Sequence, residues 1–116
     1  MKLLTTAGNV VVDNDKIDNV TELIQFCIDK KYPLKKLKLD NVEITGISFN
    51  KKDLSSWKCD NVTIRDCKFK KVNYMNSVFN NCKFINCTFD ICNMQKVKLH
   101  NTTTEDCVFV KSDIDK

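Results

Sequence analysis

The sequence predicts an all-β solenoid, a right-handed quadrilateral β-helix of about four coils, with a small N-terminal cap containing one α-helix. Three observations lead there. Apolar residues recur at every fifth position from Leu39 onward, identical residues recur every twenty, and a lone helical stripe stands upstream of both patterns. Residues 1–36 are therefore read as a strand and helix cap and 37–116 as the coil, together one structural domain.

The cap comes first. Leu3–Thr6 and Val10–Val12 are read as extended chain. Asn19 and Glu22 have the spacing of a capping box, and Val20, Leu23, Ile24, Cys27 and Ile28 form one helical stripe. This places a helix near 19–31, which Tyr32-Pro33 ends because a residue before proline disfavours the helical region. The first coil of a solenoid exposes an unpaired edge and an apolar interior, so it requires a cover. This segment is the candidate cover, and the C-terminal end is expected to lack a comparable one.

Next comes the five-residue period. One series reads Leu39, Ile44, Phe49, Leu54, Cys59, Ile64, Phe69, Tyr74, Phe79, Phe84, Phe89, Met94, Leu99, Thr104, Phe109 and Ile114, and it holds six of the seven Phe in the chain. Two residues before each member lies a second series, small or apolar except at Lys52, that includes Trp57, Cys67, Ser77, Cys82, Cys87, Cys92 and Cys107. Five residues advance an α-helix by about 500°, which scatters the apolar positions around the axis. In a flat strand an odd spacing sends successive apolar residues to opposite faces. Both series converge only if the chain turns a corner in every repeat.

The twenty-residue period counts the corners. Asn41, Asn61, Asn81 and Asn101 fall in one column, Phe49, Phe69, Phe89 and Phe109 in a second, and Cys67, Cys87 and Cys107 in a third. Four sides of five residues close one coil, and the sixteen repeats stack to roughly 19 Å at ~4.8 Å per coil. Asn is expected at the corners, because it tolerates the left-handed region and hydrogen-bonds nearby backbone.

The triplets CKF, CTF, CVF, VNY, CNM and SDI resemble those of the pentapeptide-repeat family: a small residue, a polar one, then Leu or Phe, followed by two variable positions. The resemblance covers 37–116 without an insertion and implies the same quadrilateral β-helix. Cys and Val stand where the family favours Ala, which makes the core fuller.

Composition restricts the chemistry. The net charge is +4, yet Arg65 is the one arginine among 19 basic residues, and arginine is the residue suited to reading bases and clamping phosphates. No export signal or membrane-length apolar run is evident, so a cytoplasmic setting and seven reduced thiols are expected. The Cys residues occupy inward positions and read as packing groups; no metal site, cofactor or catalytic constellation is expected, and His100 reads as an exposed, solvated side chain. Lys38, Lys58 and Lys98 share one outward column, and Asp40 and Asp60 beside Lys38 and Lys58 are expected to make it a salt-bridged surface.

Two surface features remain. Met75, Val78, Ile85, Ile91, Val108 and Val110 are apolar at positions the repeat turns outward, and they mark a surface for a protein partner or for self-association. Lys51, Lys68, Lys70 and Lys71 form the densest basic cluster and are the candidate phosphate contacts. The leading expectation is a non-enzymatic protein-protein interaction module, a rigid rod of bacterial or phage origin that modulates a host complex and dimerises through its C-terminal end. Weak nucleic-acid binding through the Lys cluster is an alternative, although nucleic acid is not the expected partner. The family resemblance implies a further alternative, modulation of DNA gyrase by DNA mimicry; this chain departs from such rods in being short and net basic.

Overall fold

A computed structural model describes residues 1–114; residues 115 and 116 at the end of the predicted solenoid, and the side chains of Asp113 and Ile114, lie outside the described residues. The chain begins with an antiparallel hairpin of β1 (Lys2–Thr5) and β2 (Val10–Asp13), followed by α1 (Val20–Lys30). The helix is one residue shorter at each end than expected, because Asn19 and Lys31 are its caps. The Asn19 side chain accepts a hydrogen bond from the Glu22 backbone N–H, and Lys31 turns left-handed at φ 61°. Val20, Leu23, Ile24 and Cys27 form its buried stripe.

From Leu37 onward the chain is a right-handed β-helix of four faces. The first face stacks β3 (Leu37–Asp40), β6 (Lys58–Asp60), β9 (Val78–Asn80) and β13 (Lys98–His100). The second stacks β4 (Glu43–Thr45), β7 (Thr63–Arg65), β10 (Lys83–Ile85) and β14 (Thr103–Glu105). The third stacks β5 (Ser48–Asn50), β8 (Lys68–Lys70), β11 (Thr88–Asp90) and β15 (Val108–Val110). The fourth is thinner, with β12 (Asn93–Met94) paired to β16 (Asp113–Ile114) and single bridges linking Asp53, Asn73 and Asn93. All of these pairs are parallel with partners twenty residues apart, as in the file Phe49, Phe69, Phe89, Phe109.

That file is the spine of the core. Its rings stack nearly parallel, with centroids 5.1, 4.8 and 4.7 Å apart. Stacking at this distance adds to area burial in holding the coils in register. Trp57, Tyr74, Phe79 and Phe84 meet their neighbours edge to face across the interior.

Every corner residue from Lys36 to Lys111 lies in the left-handed region, with φ between 47° and 71°. Asn holds many of these corners as expected, at 41, 61, 76, 81, 86 and 101. Lys, Asp, Ser and one Ile hold most of the others. From Lys36 to Ile91 the left-handed cost of roughly 1 kcal/mol for an L-residue is offset because the corner N–H reaches the next coil. Asn61 donates to Asn80 O at 3.0 Å, and Lys71 to Asp90 O at 2.8 Å.

The second inward series does more than fill space. Cys87 Sγ donates to Ile64 O at 3.4 Å, Cys92 Sγ to Phe69 O at 3.2 Å, Thr102 Oγ1 to Phe79 O at 2.9 Å and Ser112 Oγ to Phe89 O at 3.0 Å. Each bond spans 23 residues and joins one coil to a carbonyl of the coil before it.

The cap covers the first coil in three ways. β1 pairs antiparallel with β3 and extends the first face to six strands. Thr21 Oγ1 donates to Glu43 O at 3.2 Å and accepts from Thr45 N at 3.1 Å, fixing α1 over β4. Trp57 Nε1 donates to Leu34 O at 2.6 Å.

At the other end the interior is open. Members of the inward series are buried as far as Met94, but Leu99 is 48% exposed and Phe109 39%. The inward expectation is thus corrected for exposure in the last coil: the residues keep their register, but among the described residues no coil or cap lies over them. Thr104 is exposed there too, and Val97, Thr102, Cys107 and Ser112 are half-buried.

Candidate binding surfaces

The strand register decides which outward residues meet. Along the third face, Ser48, Lys68, Thr88 and Val108 form one column, and Asn50, Lys70, Asp90 and Val110 the next. At the corner between the third and fourth faces stand Lys51, Lys71, Ile91 and Lys111. The opposite edge of the third face carries Gly46, Asp66, Asn86 and Asp106. This face is therefore basic in its second coil and apolar in its last, with three lysines along one corner and two aspartates along the other.

Of the six predicted apolar surface residues, the structure brings three together. Val108 and Val110 lie on β15, and the Ile91 N–H donates to Val110 O at 2.8 Å. All three are exposed, at 53%, 41% and 47%. Val78 lies on the first face, Ile85 on the second and Met75 beside the fourth, each half-buried. Ile91 has a further property: it is β-branched at φ 56°, a region such residues rarely enter.

The four predicted basic residues do converge. Lys68 and Lys70 project from β8, Lys71 follows at the corner, and Lys51 lies one coil before it, its N–H donating to Lys70 O at 2.9 Å. All four are exposed. Beside them a cleft of about 250 Å³ is lined by Tyr32, Pro33, Leu34, Lys35, Lys51, Lys52 and Asp53. Lys35 and Lys111 are not singled out by the sequence analysis, and Lys52 appears there only as the exception in the second inward series. The twenty-residue alignment contains Lys111 in the column of Lys51 and Lys71, and that was the available signal.

Among the described residues the expected salt bridges of Lys38 and Lys58 with Asp40 and Asp60 do not form. Among the described residues the ion pair present is Arg65 Nε to Glu43 Oε1 at 2.9 Å, on the second face. Asp60 instead accepts from Asn80 Nδ2 at 3.0 Å.

The thiols are free, and all but the partly buried Cys107 are fully buried. Burial pushes Cys27 up to about 11 and holds Cys59 well above the ordinary thiol value. Burial also raises Cys82, Cys92 and Cys107. A hydrogen bond shared with Cys67, together with burial, raises Cys87. The same bond draws Cys67 down against its own burial. Among the described residues no group of three or more His, Cys, Asp or Glu is arranged to hold a metal ion, and no helix is long and apolar enough to cross a membrane.

The open end forms a hollow of about 690 Å³ whose lining includes Phe84, Phe89, Met94, Leu99, Phe109 and His100.

Comparison with known proteins adds the family. A family profile described as a pentapeptide repeat region matches residues 33–116. Among solved structures the chain is similar to a pentapeptide repeat protein (Rfr23) from the cyanobacterium Cyanothece 51142. That match has 12% identity, covers 70% of this chain and 66% of that one, and has a TM-score of 0.29. No curated protein matches.

Proposed function

The chain belongs to the pentapeptide-repeat family, and from that premise we propose that it is a non-enzymatic protein-protein interaction module. The rod holds its third face rigid, and a partner docks on the part of that face contributed by the last two coils. One observation carries this reading. Ile91, Val108 and Val110 turn outward together, while the inward series that builds the core is complete without them. A clustered apolar surface on a rigid sheet favours contact with another protein.

A second contact is proposed at the open end, where a second copy of the chain covers Leu99 and Phe109. The seven free thiols suit a reducing, cytoplasmic setting. Modulation of DNA gyrase by mimicry ranks below this reading, because the side of the rod carries Lys51, Lys68, Lys70, Lys71 and Lys111 where a DNA mimic needs acids.

Affinity capture from a bacterial lysate with wild type and with V108K/V110K tests the lateral surface; recovery of the same proteins by both would reject it. Sedimentation of the 116-residue chain tests the end contact. Wild type is expected to dimerise and L99N/F109N to remain monomeric; a monomeric wild type rejects the second-copy contact.

A further inference from the structure

Ile91 is the corner residue that local preference does not explain. Every other described solenoid corner from Lys36 to Lys111 is Gly, Asn, Asp, Ser or Lys. Those residues either tolerate the left-handed region or expose a long polar chain there. A β-branched residue in this conformation is strained, and strain kept at an exposed position points toward a functional use. It stands between Lys71 and Lys111 in its column and touches the strand carrying Val108 and Val110.

We propose that this corner binds an extended acidic segment of a partner protein. An apolar side chain of that segment seats on Ile91 and Val110, and carboxylates two residues to either side of it pair with Lys71 and Lys111. The proposal rests on the interaction-module reading and names the partner's chemistry. In an extended segment, side chains two apart share one face at about 6.6–6.8 Å. The corner column repeats at about 4.8 Å per coil, and the flexible four-carbon lysine stems span the difference.

The charges around the site orient the ligand. Asp90 lies between Lys70 and Val110, and Asp66 and Asp106 occupy the far edge of the face. Asp66 and Asp106 repel an acidic segment from the far edge of the face, while Asp90 adjoins Ile91 and so lies at the apolar centre of the site, between the two lysines. The same acids, and the apolar break at Ile91, disfavour a continuous phosphate backbone. The single arginine is on another face, paired with Glu43.

The test is a titration of amide chemical shifts in the whole chain with a synthetic heptapeptide: central leucine, aspartate two residues to either side, serine elsewhere. Saturable shifts are expected at Lys71, Ile91, Val110 and Lys111. Asparagine in place of the aspartates, or serine in place of the leucine, is expected to weaken binding roughly fivefold or more. I91N separates binding from folding. It is expected to melt about 4 °C higher, because the strain is relieved, and to bind the peptide at least about fivefold more weakly.

Shifts elsewhere, no saturable shift, or equal binding by I91N would overturn the proposal. So would a short DNA duplex occupying the corner more tightly than the peptide. Peptide failure with lysate capture still sensitive to V108K/V110K rejects the acidic ligand alone; failure of both rejects the module reading as well.

Discussion

Phe69 and Phe89 each have a ring stacked on both sides, whereas Phe109 has Phe89 on one side and the open end on the other. F69A and F89A are therefore expected to cost about 3–5 kcal/mol, because each ring is fully buried and its loss leaves a cavity. F109A is expected to cost about 1–2 kcal/mol, because the residue is already 39% exposed. Urea denaturation of the three variants checks the gradient, and equal losses would contradict it. Tyr74 provides the converse case. Its hydroxyl is buried without a hydrogen-bond partner, and burial holds its pKa well above the usual value. An unpaired buried polar group costs about 1–3 kcal/mol, so Y74F is expected to gain about 1 kcal/mol in the same assay.

Among the elements, the corners and the cap carry the specificity of the fold. A corner closes because a left-handed residue sends its N–H to the next coil, so its backbone requirement outweighs side-chain identity. This is why Lys36, Lys51 and Lys71 serve as well as Asn. The cap depends on its own start signal. The Asn19 side chain accepts from Glu22 N at 2.9 Å, and N19A is expected to lose about 1 kcal/mol. Hydrogen exchange should show faster opening in α1 and at the α1 contacts on β4, with β8 and β11 unchanged. Uniform acceleration along the rod would mean that cap and coil open together.

The molecule as a whole is 37 Å in its longest dimension and packs nearly every thiol inside. This gives a pH signature. Thiols of the unfolded chain ionise near 9.0, whereas in the folded chain burial holds Cys27 to about 11, keeps Cys59 well above 9.0 and raises Cys82 and Cys92. Cys67 alone shifts downward. Above about pH 9 the unfolded chain releases protons that the folded chain keeps, so stability is present below that pH and is lost as pH rises toward and beyond 11. The urea midpoint is expected to be level between pH 6 and 8 and to fall above 9; a midpoint rising with pH in that range would refute the assignment.

The five- and twenty-residue periods determined the coil, its four sides and the columns, because inward-facing apolar residues admit no other closure. Asn19, Glu22 and Pro33 determined the helix and its limits, because caps and breakers act locally. Other features had no local signal. The columns leave open how far each outward side chain is exposed: Met75, Val78 and Ile85 are half-buried, whereas Ile91, Val108 and Val110 are exposed. The thiol and hydroxyl bonds to carbonyls 23 residues back, the unmet Lys–Asp pairs and the exposure of Leu99 and Phe109 were likewise decided in three dimensions. A periodic sequence specifies direction inward or outward, but contact, hydrogen bonding and solvent access depend on what the adjoining coil supplies.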